Sequence, residues 1–130
     1  MKPKRVADVM SPLSFTLSPT ATVREAEDMM SQNKIRHLPV LSDKGRIVGV
    51  ISDRDLKLVR SLGGPDQVRI DVLLEVPPFT ANLSSHLGDV LREMYKQKYG
   101  CAVIENEIGE AVGIFTTTDA LKAFAEFLEI

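Results

Sequence analysis

Cysteine is nearly absent: Cys101 is the only one in 130 residues. A single thiol excludes any intrachain disulfide and fits a reducing compartment. Histidine is almost as scarce. His37, His86 and Cys101 lack zinc spacing and are too few for a closed structural zinc site. With no tryptophan, five phenylalanines and two tyrosines, the chain has few faces on which single-stranded nucleic acid could stack. Sixteen basic against eighteen acidic residues leave a net charge of −2, without the basic excess of a dedicated nucleic-acid binder. Long apolar runs are missing too. Runs such as Ile47 to Ile51 fall far short of a membrane span, and no signal-peptide core follows the basic Met1–Arg5. The implied setting is cytoplasmic, with no membrane partner. Neither a Gly-x-x-x-x-Gly-Lys-Ser/Thr phosphate loop nor a Gly-x-Ser-x-Gly elbow occurs. Asp53 and Asp55, two apart at a helix start, do not share a face and make a poor acid–base pair. These absences point away from an enzyme.

What is present is a chain of ordinary single-domain size, 44% hydrophobic and 26% charged, which can bury a core without disulfide or metal. It also repeats itself. At an offset of 64, Phe15-Thr16 falls on Phe79-Thr80, Met30 on Met94, Lys34 on Lys98, and Gly45 on Gly109. Val48-Gly49 then falls on Val112-Gly113 and Asp55 on Asp119, making eight identities over 41 ungapped positions. Random pairing gives roughly two or three. The duplication divides the chain at 1–64 and 65–130.

Each repeat carries the same order of elements. Residues 15–18 are an extended piece closed by Pro19. Thr22-Val23-Arg24-Glu25 has the form of a capping box, and Val23, Ala26, Met29 and Met30 follow as an apolar stripe. Leu87, Val90, Leu91 and Met94 form the stripe of the second copy. Two short strands come next, Leu38–Leu41 and Ile47–Ile51, joined by the polar turn Ser42-Asp43-Lys44-Gly45. Their counterparts are Cys101–Ile104 and Ala111–Phe115. A second helix starts near Ser52/Asp53 and stops at Gly63-Gly64-Pro65; its counterpart runs from Thr116–Thr118 to Leu128. The expected fold is mixed α/β, a β-α-β-β-α unit used twice.

Asp8-Val9-Met10, Arg36-His37-Leu38-Pro39-Val40 and Gly49-Val50-Ile51-Ser52-Asp53-Arg54-Asp55-Leu56 resemble a cystathionine β-synthase (CBS) domain. The second copy shows Asp71-Val72-Leu73 and Gly113-Ile114-Phe115-Thr116-Thr117-Thr118-Asp119. From about Val6 to Phe127 the chain resembles a tandem CBS pair, the Bateman module, with no enzyme or transporter domain attached. The resemblance implies pseudo-twofold symmetry, a ligand cleft between the repeats, and modules that associate as homodimers. It also implies a regulatory sensor whose output passes to an unidentified effector protein or to a change of assembly.

The chemistry of the motif can be argued from its residues. Helix-start amides point outward with partial positive charge and receive anions such as phosphate. Ser52 or Thr116 adds a hydroxyl donor, and the carboxylate of Asp55 or Asp119 suits the vicinal hydroxyls of a ribose. With Val50 and Ile114 as apolar wall, and Thr16 and Thr80 lining the cleft, the set suits an adenosine nucleotide: AMP, ADP or ATP. The competing account makes Ser52 and Thr116 simple N-caps, with Asp55 and Asp119 set against the helix dipole, in a ligand-independent interaction scaffold.

The copies are unequal. The first carries Arg36, His37 and Arg54, where the second has Gly100, Cys101 and Thr118. Arginine grips phosphate through its planar fork of donors, so the Ser52/Asp55 site is expected to be the better phosphate binder, and cationic S-adenosylmethionine is disfavoured. For Arg36 and Arg54 the alternative is a solvated surface charge; for His37, a structural strand-edge histidine. Cys101 is expected to be buried in its strand. Phe124, Phe127, Leu128 and Ile130 give the last helix more apolar surface than its repeat requires, as core or dimer contact.

Overall fold

A computed structural model describes residues 5–63, 66–74 and 77–129. Gly64 and Pro65 of the expected stop signal, and Ile130, lie outside them. The chain forms two compact units. Residues 14–78 make one, called here the Asp55 unit. The segment through Leu13 joins Phe79 onward to make the other, the Asp119 unit. Compact units and sequence repeats therefore divide the chain differently.

The Asp55 unit is built on helix α1 (Val23–Asn33), strands β2 (His37–Leu41) and β3 (Ile47–Ser52), and helix α2 (Asp53–Ser61). Thr22 caps α1 by accepting the Glu25 N–H at 3.2 Å. The expected capping box is only half made, because Glu25 takes the Thr22 hydroxyl at 3.4 Å and does not reach the Thr22 amide. Val23, Ala26 and Met30 turn inward as the stripe predicts, with Met29 partly buried. β2 and β3 pair antiparallel, His37 opposite Ser52 and Pro39 opposite Val50. Gly45 closes the turn at φ 76°, a conformation glycine adopts without steric cost. Of the extended piece 15–18, only Leu17 pairs, as a parallel bridge to Val40. Leu38, Val40, Ile51 and Leu56 fill the core, each burial contributing about 1.5–3 kcal/mol. On the surface Arg60 joins Glu27 and Asp66, and Arg24 joins Asp66 at 2.9 Å, tying α1 and α2 to the segment after them.

The Asp119 unit contains a four-stranded sheet in the order Ser11–Pro12, Ala111–Thr116, Cys101–Glu105, Thr80–Asn82. Its strands are β1 (Ser11–Pro12), β4 (Thr80–Asn82), β5 (Cys101–Glu105) and β6 (Ala111–Thr116). β4 lies parallel to β5, and β1 and β5 run antiparallel to β6. Helix α3 (Leu87–Gln97) buries Leu87, Val90 and Met94. The stripe's fourth member, Leu91, remains 37% exposed. Helix α4 (Thr117–Leu128) buries no residue completely. Phe124 and Leu128 are 57% and 60% exposed, and an open apolar groove of about 220 Å³ is lined by Leu87, Leu91, Phe115, Ala120, Ala123 and Phe124. No described helix is long and apolar enough to cross a membrane.

The shifted boundary has a physical cause. Short 3₁₀ turns at Val6–Asp8 and Ile70–Leu73 occupy equivalent places at the offset of 64. Val6 is fully buried in the core of the Asp119 unit, and Ile70 in that of the Asp55 unit. Each lead-in thus completes the core around the other repeat's hairpin. The strand glycines make room for it. A β-carbon at Gly49 would stand 2.6 Å from Leu74 Cδ2, and one at Gly113 2.5 Å from Met10 Sδ. Both separations are far inside ordinary contact.

Candidate functional site

In the Asp55 unit β3 ends where α2 begins, and Ser52 occupies the junction with extended backbone. Its hydroxyl accepts the Asp55 N–H at 3.2 Å, and Asp55 Oδ2 accepts the Ser52 N–H at 2.9 Å, completing a capping box. The N-cap role considered for Ser52 is therefore real. It leaves Asp55 Oδ1 without a partner among the described residues. The carboxylate is half-buried at a helix start, oriented by its own backbone, with one face open to a donor.

Several other expected residues gather at this junction. The Arg36 carbonyl accepts the Asp53 N–H at 2.9 Å, which fastens the start of β2 to the first turn of α2. Arg36 and Arg54 are exposed, and neither guanidinium has an ion-pair or hydrogen-bond partner among the described residues. His37 faces Ser52 across the hairpin. Burial pushes its imidazole below the ordinary histidine range, outweighing the opposing pull of Asp53 and Asp55. At neutral pH His37 is uncharged and can offer phosphate a neutral N–H only. Val50 lies two residues before Ser52, half-buried and opposite Pro39. Thr16, also half-buried, directly precedes the Leu17 bridge to the same strand.

The second junction repeats the geometry without the cations. The Thr116 hydroxyl accepts the Asp119 N–H at 3.3 Å, and Asp119 Oδ2 accepts the Thr116 N–H at 2.9 Å. Thr80, Val103, Ile114 and Ser11 stand in one row across the four strands. Thr118 is exposed in the first turn of α4. Cys101, opposite Thr116, is buried, and burial pushes its thiol up to about 11, so it is protonated and inert at neutral pH. One residue here was missed at the sequence level: Ser11 donates its hydroxyl to Asp119 Oδ1 at 2.8 Å across 108 positions. No spacing rule reaches that far. The only available signal was the repeat, which puts Ser11 in the lead-in beside the Gly113 strand. Among the described residues no three His, Cys, Asp or Glu side chains gather as metal ligands.

Known proteins share this arrangement. The family model of the CBS domain matches residues 6–61 and 68–126. An uncharacterised protein of Methanocaldococcus jannaschii is 30% identical over 118 residues, 91% of this chain and 38% of that protein. The chain thus spans well under half the length of this curated relative. A crystal structure of an uncharacterised conserved protein from Pyrococcus horikoshii superposes with TM-score 0.84 at 31% identity, covering 97% of this chain and 96% of that one. Two further solved structures share the fold. One is a CBS domain protein from Pyrobaculum aerophilum complexed with AMP (TM-score 0.82, 19% identity, 93% and 98% covered). The other is a CBS domain pair complexed with 5′-methylthioadenosine and S-adenosyl-L-methionine (TM-score 0.86, 22% identity, 96% and 99% covered). With two successive family matches over 6–61 and 68–126, and the duplicated strand–hydroxyl–carboxylate–helix junction inside each, the chain belongs to the CBS domain family.

Proposed function

We propose that this chain is a non-catalytic regulatory module that binds an adenosine nucleotide at the Ser52/Asp55 junction and signals by a shift of conformation or assembly. The observation that carries the reading is the Asp55 carboxylate. It is fixed by the Ser52 amide, open at Oδ1, and flanked by two arginines with no partner among the described residues. Asp55 would accept ribose hydroxyls, while the α2 amides, the Ser52 hydroxyl, Arg36 and Arg54 would meet phosphate. Val50 and Thr16 would line the base. Relatives of the same fold crystallised with AMP, and with 5′-methylthioadenosine and S-adenosyl-L-methionine, support the adenosine class. The two arginines favour a phosphorylated ligand over cationic S-adenosylmethionine. A ligand with unequal affinity for two states shifts their populations, and an effector protein or a second copy would read the shift.

Thermal melting tests the reading. AMP, ADP or ATP at millimolar concentration is expected to raise the melting temperature by mass action, and Asp55→Ala to abolish most of the rise. Unchanged melting with all three nucleotides and with S-adenosylmethionine would favour the ligand-independent scaffold. That second reading has its own support, since both capping boxes are complete without any ligand. For assembly we infer a homodimer through α4, whose Leu121 and Phe124 are 69% and 57% exposed. Phe124→Asp is expected to convert dimer to monomer in sedimentation experiments, and a wild-type monomer would refute the inference.

A further inference from the structure

The two capping boxes differ in the donors already placed on their carboxylates. An ionised carboxylate offers about four lone-pair positions. At Asp55 a single donor is in place among the described residues, the Ser52 N–H on Oδ2. At Asp119 three are in place: the Thr116 N–H at 2.9 Å and hydroxyl at 3.3 Å on Oδ2, and the Ser11 hydroxyl at 2.8 Å on Oδ1. Ser11 is held there by structure rather than chance. β1 pairs it with Ile114, and its carbonyl oxygen lies 3.1 Å from where a Gly113 β-carbon would stand. At the offset of 64 its place in the sequence is taken by Glu75, which carries no hydroxyl group. A vicinal diol brings two hydroxyl donors to a carboxylate. Asp55 has room for both, and Asp119 has room for one.

We propose that Ser11 is a specificity-determining residue. Its hydroxyl stands on Asp119 where one hydroxyl of a bound nucleotide would stand, so the second site recognises a single sugar hydroxyl and is the weaker of the two. It follows that the Asp55 site distinguishes ribose from 2′-deoxyribose and the Asp119 site does not. This inference rests on the nucleotide-binding reading above and assigns the sugar chemistry of its second site.

Calorimetric titration of the full chain with AMP and with 2′-deoxy-AMP tests it. The wild type is expected to show a tighter site that prefers AMP about tenfold, one hydrogen bond to a charged acceptor. Asp55→Ala should remove that site and leave weaker binding that treats the two nucleotides alike within about twofold. Adding Ser11→Ala should create an AMP preference of about tenfold at the remaining site. Ser11→Cys, close in size with a much weaker donor, should do the same without loosening β1, whereas Ser11→Thr should not. An AMP preference already present in Asp55→Ala alone overturns the proposal, as does its absence from both double variants. In those two cases the wild type still binds AMP, so the nucleotide reading survives. A wild type that binds neither nucleotide overturns both.

Discussion

The Asp55 and Asp119 units share a fold and a capping box, yet they distribute their polar groups in opposite ways. In the Asp55 unit Arg60 meets Glu27 and Asp66 at the far end of α2 and Lys57 lies 3.9 Å from Asp53 at its start, while Asp55 Oδ1 and the guanidinium groups of Arg36 and Arg54 have no partner among the described residues. In the Asp119 unit the carboxylate at the helix start is taken up by Ser11, and α4 exposes the apolar Leu121, Phe124 and Leu128. A duplicated motif can thus keep its carboxylate open in one copy and use it as an anchor in the other, where the lead-in brings the Ser11 hydroxyl to it.

Substituting the two aspartates separately breaks the comparison most sharply. Asp55→Ala removes a cap and is expected to cost about 1 kcal/mol of stability in the ligand-free protein. Asp119→Ala removes a cap and also orphans the Ser11 hydroxyl that anchors β1, so it should cost about 2–3 kcal/mol. The nucleotide-dependent rise in melting temperature should follow the reverse order, nearly lost in Asp55→Ala and largely kept in Asp119→Ala. Denaturant titration and ligand-shift melting measure the two quantities. Equal stability losses would show that the Ser11 bond anchors nothing.

The strand glycines come next. At Gly49 an added methyl meets only the Leu74 side chain, which can change rotamer. At Gly113 it meets Met10 Sδ and also the Ser11 carbonyl oxygen, a backbone atom fixed by β1 pairing. Gly113→Ala should therefore cost about 2–3 kcal/mol, and Gly49→Ala about 1–2 kcal/mol, within the usual range for overpacking. Chemical denaturation of the two variants decides it, and a larger loss at Gly49 would contradict the account of β1.

These glycines also mark where sequence reasoning reached and where it stopped. The repeat and the order of elements were legible because local signals agree: periodic stripes, turn glycines, and a hydroxyl three residues before a carboxylate. The residues around Ser52 were legible for a related reason: chain connectivity places Arg54 and Asp55 beside it, and the β2–β3 hairpin, itself visible as two strands joined by a glycine turn, places Arg36 and His37 there. The lead-in crossing was not legible. Gly49 and Gly113 stood out as identities, but what they accommodate, Leu74 and Met10, lies 25 and 103 positions away. Ser11 was missed for the same reason. The stripe position of Leu91 predicted burial, and it fails because the groove above α3 is left open between α3 and α4.

Acidification separates the units by a smaller effect. Burial lowers the His37 pKa in the folded state, so between that value and the ordinary one near 6.5 the unfolded chain binds more protons. Stability is then fully present above the unfolded value, falls as pH drops through this window, and levels off below the folded value. His37→Gln should flatten the dependence of melting temperature on pH just below the ordinary histidine range. A bound phosphate near His37 would raise its pKa and move the window upward, which histidine proton resonances in the presence of AMP would detect. An unchanged slope in the variant would mean that His37 is not the titrating group.

The smallest effect tests what the units have in common. Both first helices end in a lysine in the left-handed region, Lys34 at φ 54° and Lys98 at φ 61°, each returning its N–H to the methionine four residues earlier. A left-handed conformation costs a non-glycine residue about 1–2 kcal/mol. Glycine removes that strain but loses more backbone entropy on folding, about 0.5–1 kcal/mol. Lys34→Gly and Lys98→Gly should each gain about 0.5 kcal/mol, raising the melting temperature by one or two degrees (~1–2 °C). Equality is the informative outcome, because the two caps share one geometry and neither touches the carboxylate junctions. A gain at Lys34 with a loss at Lys98 would mean that the asymmetry of the two units extends beyond Ser11 to the helix ends.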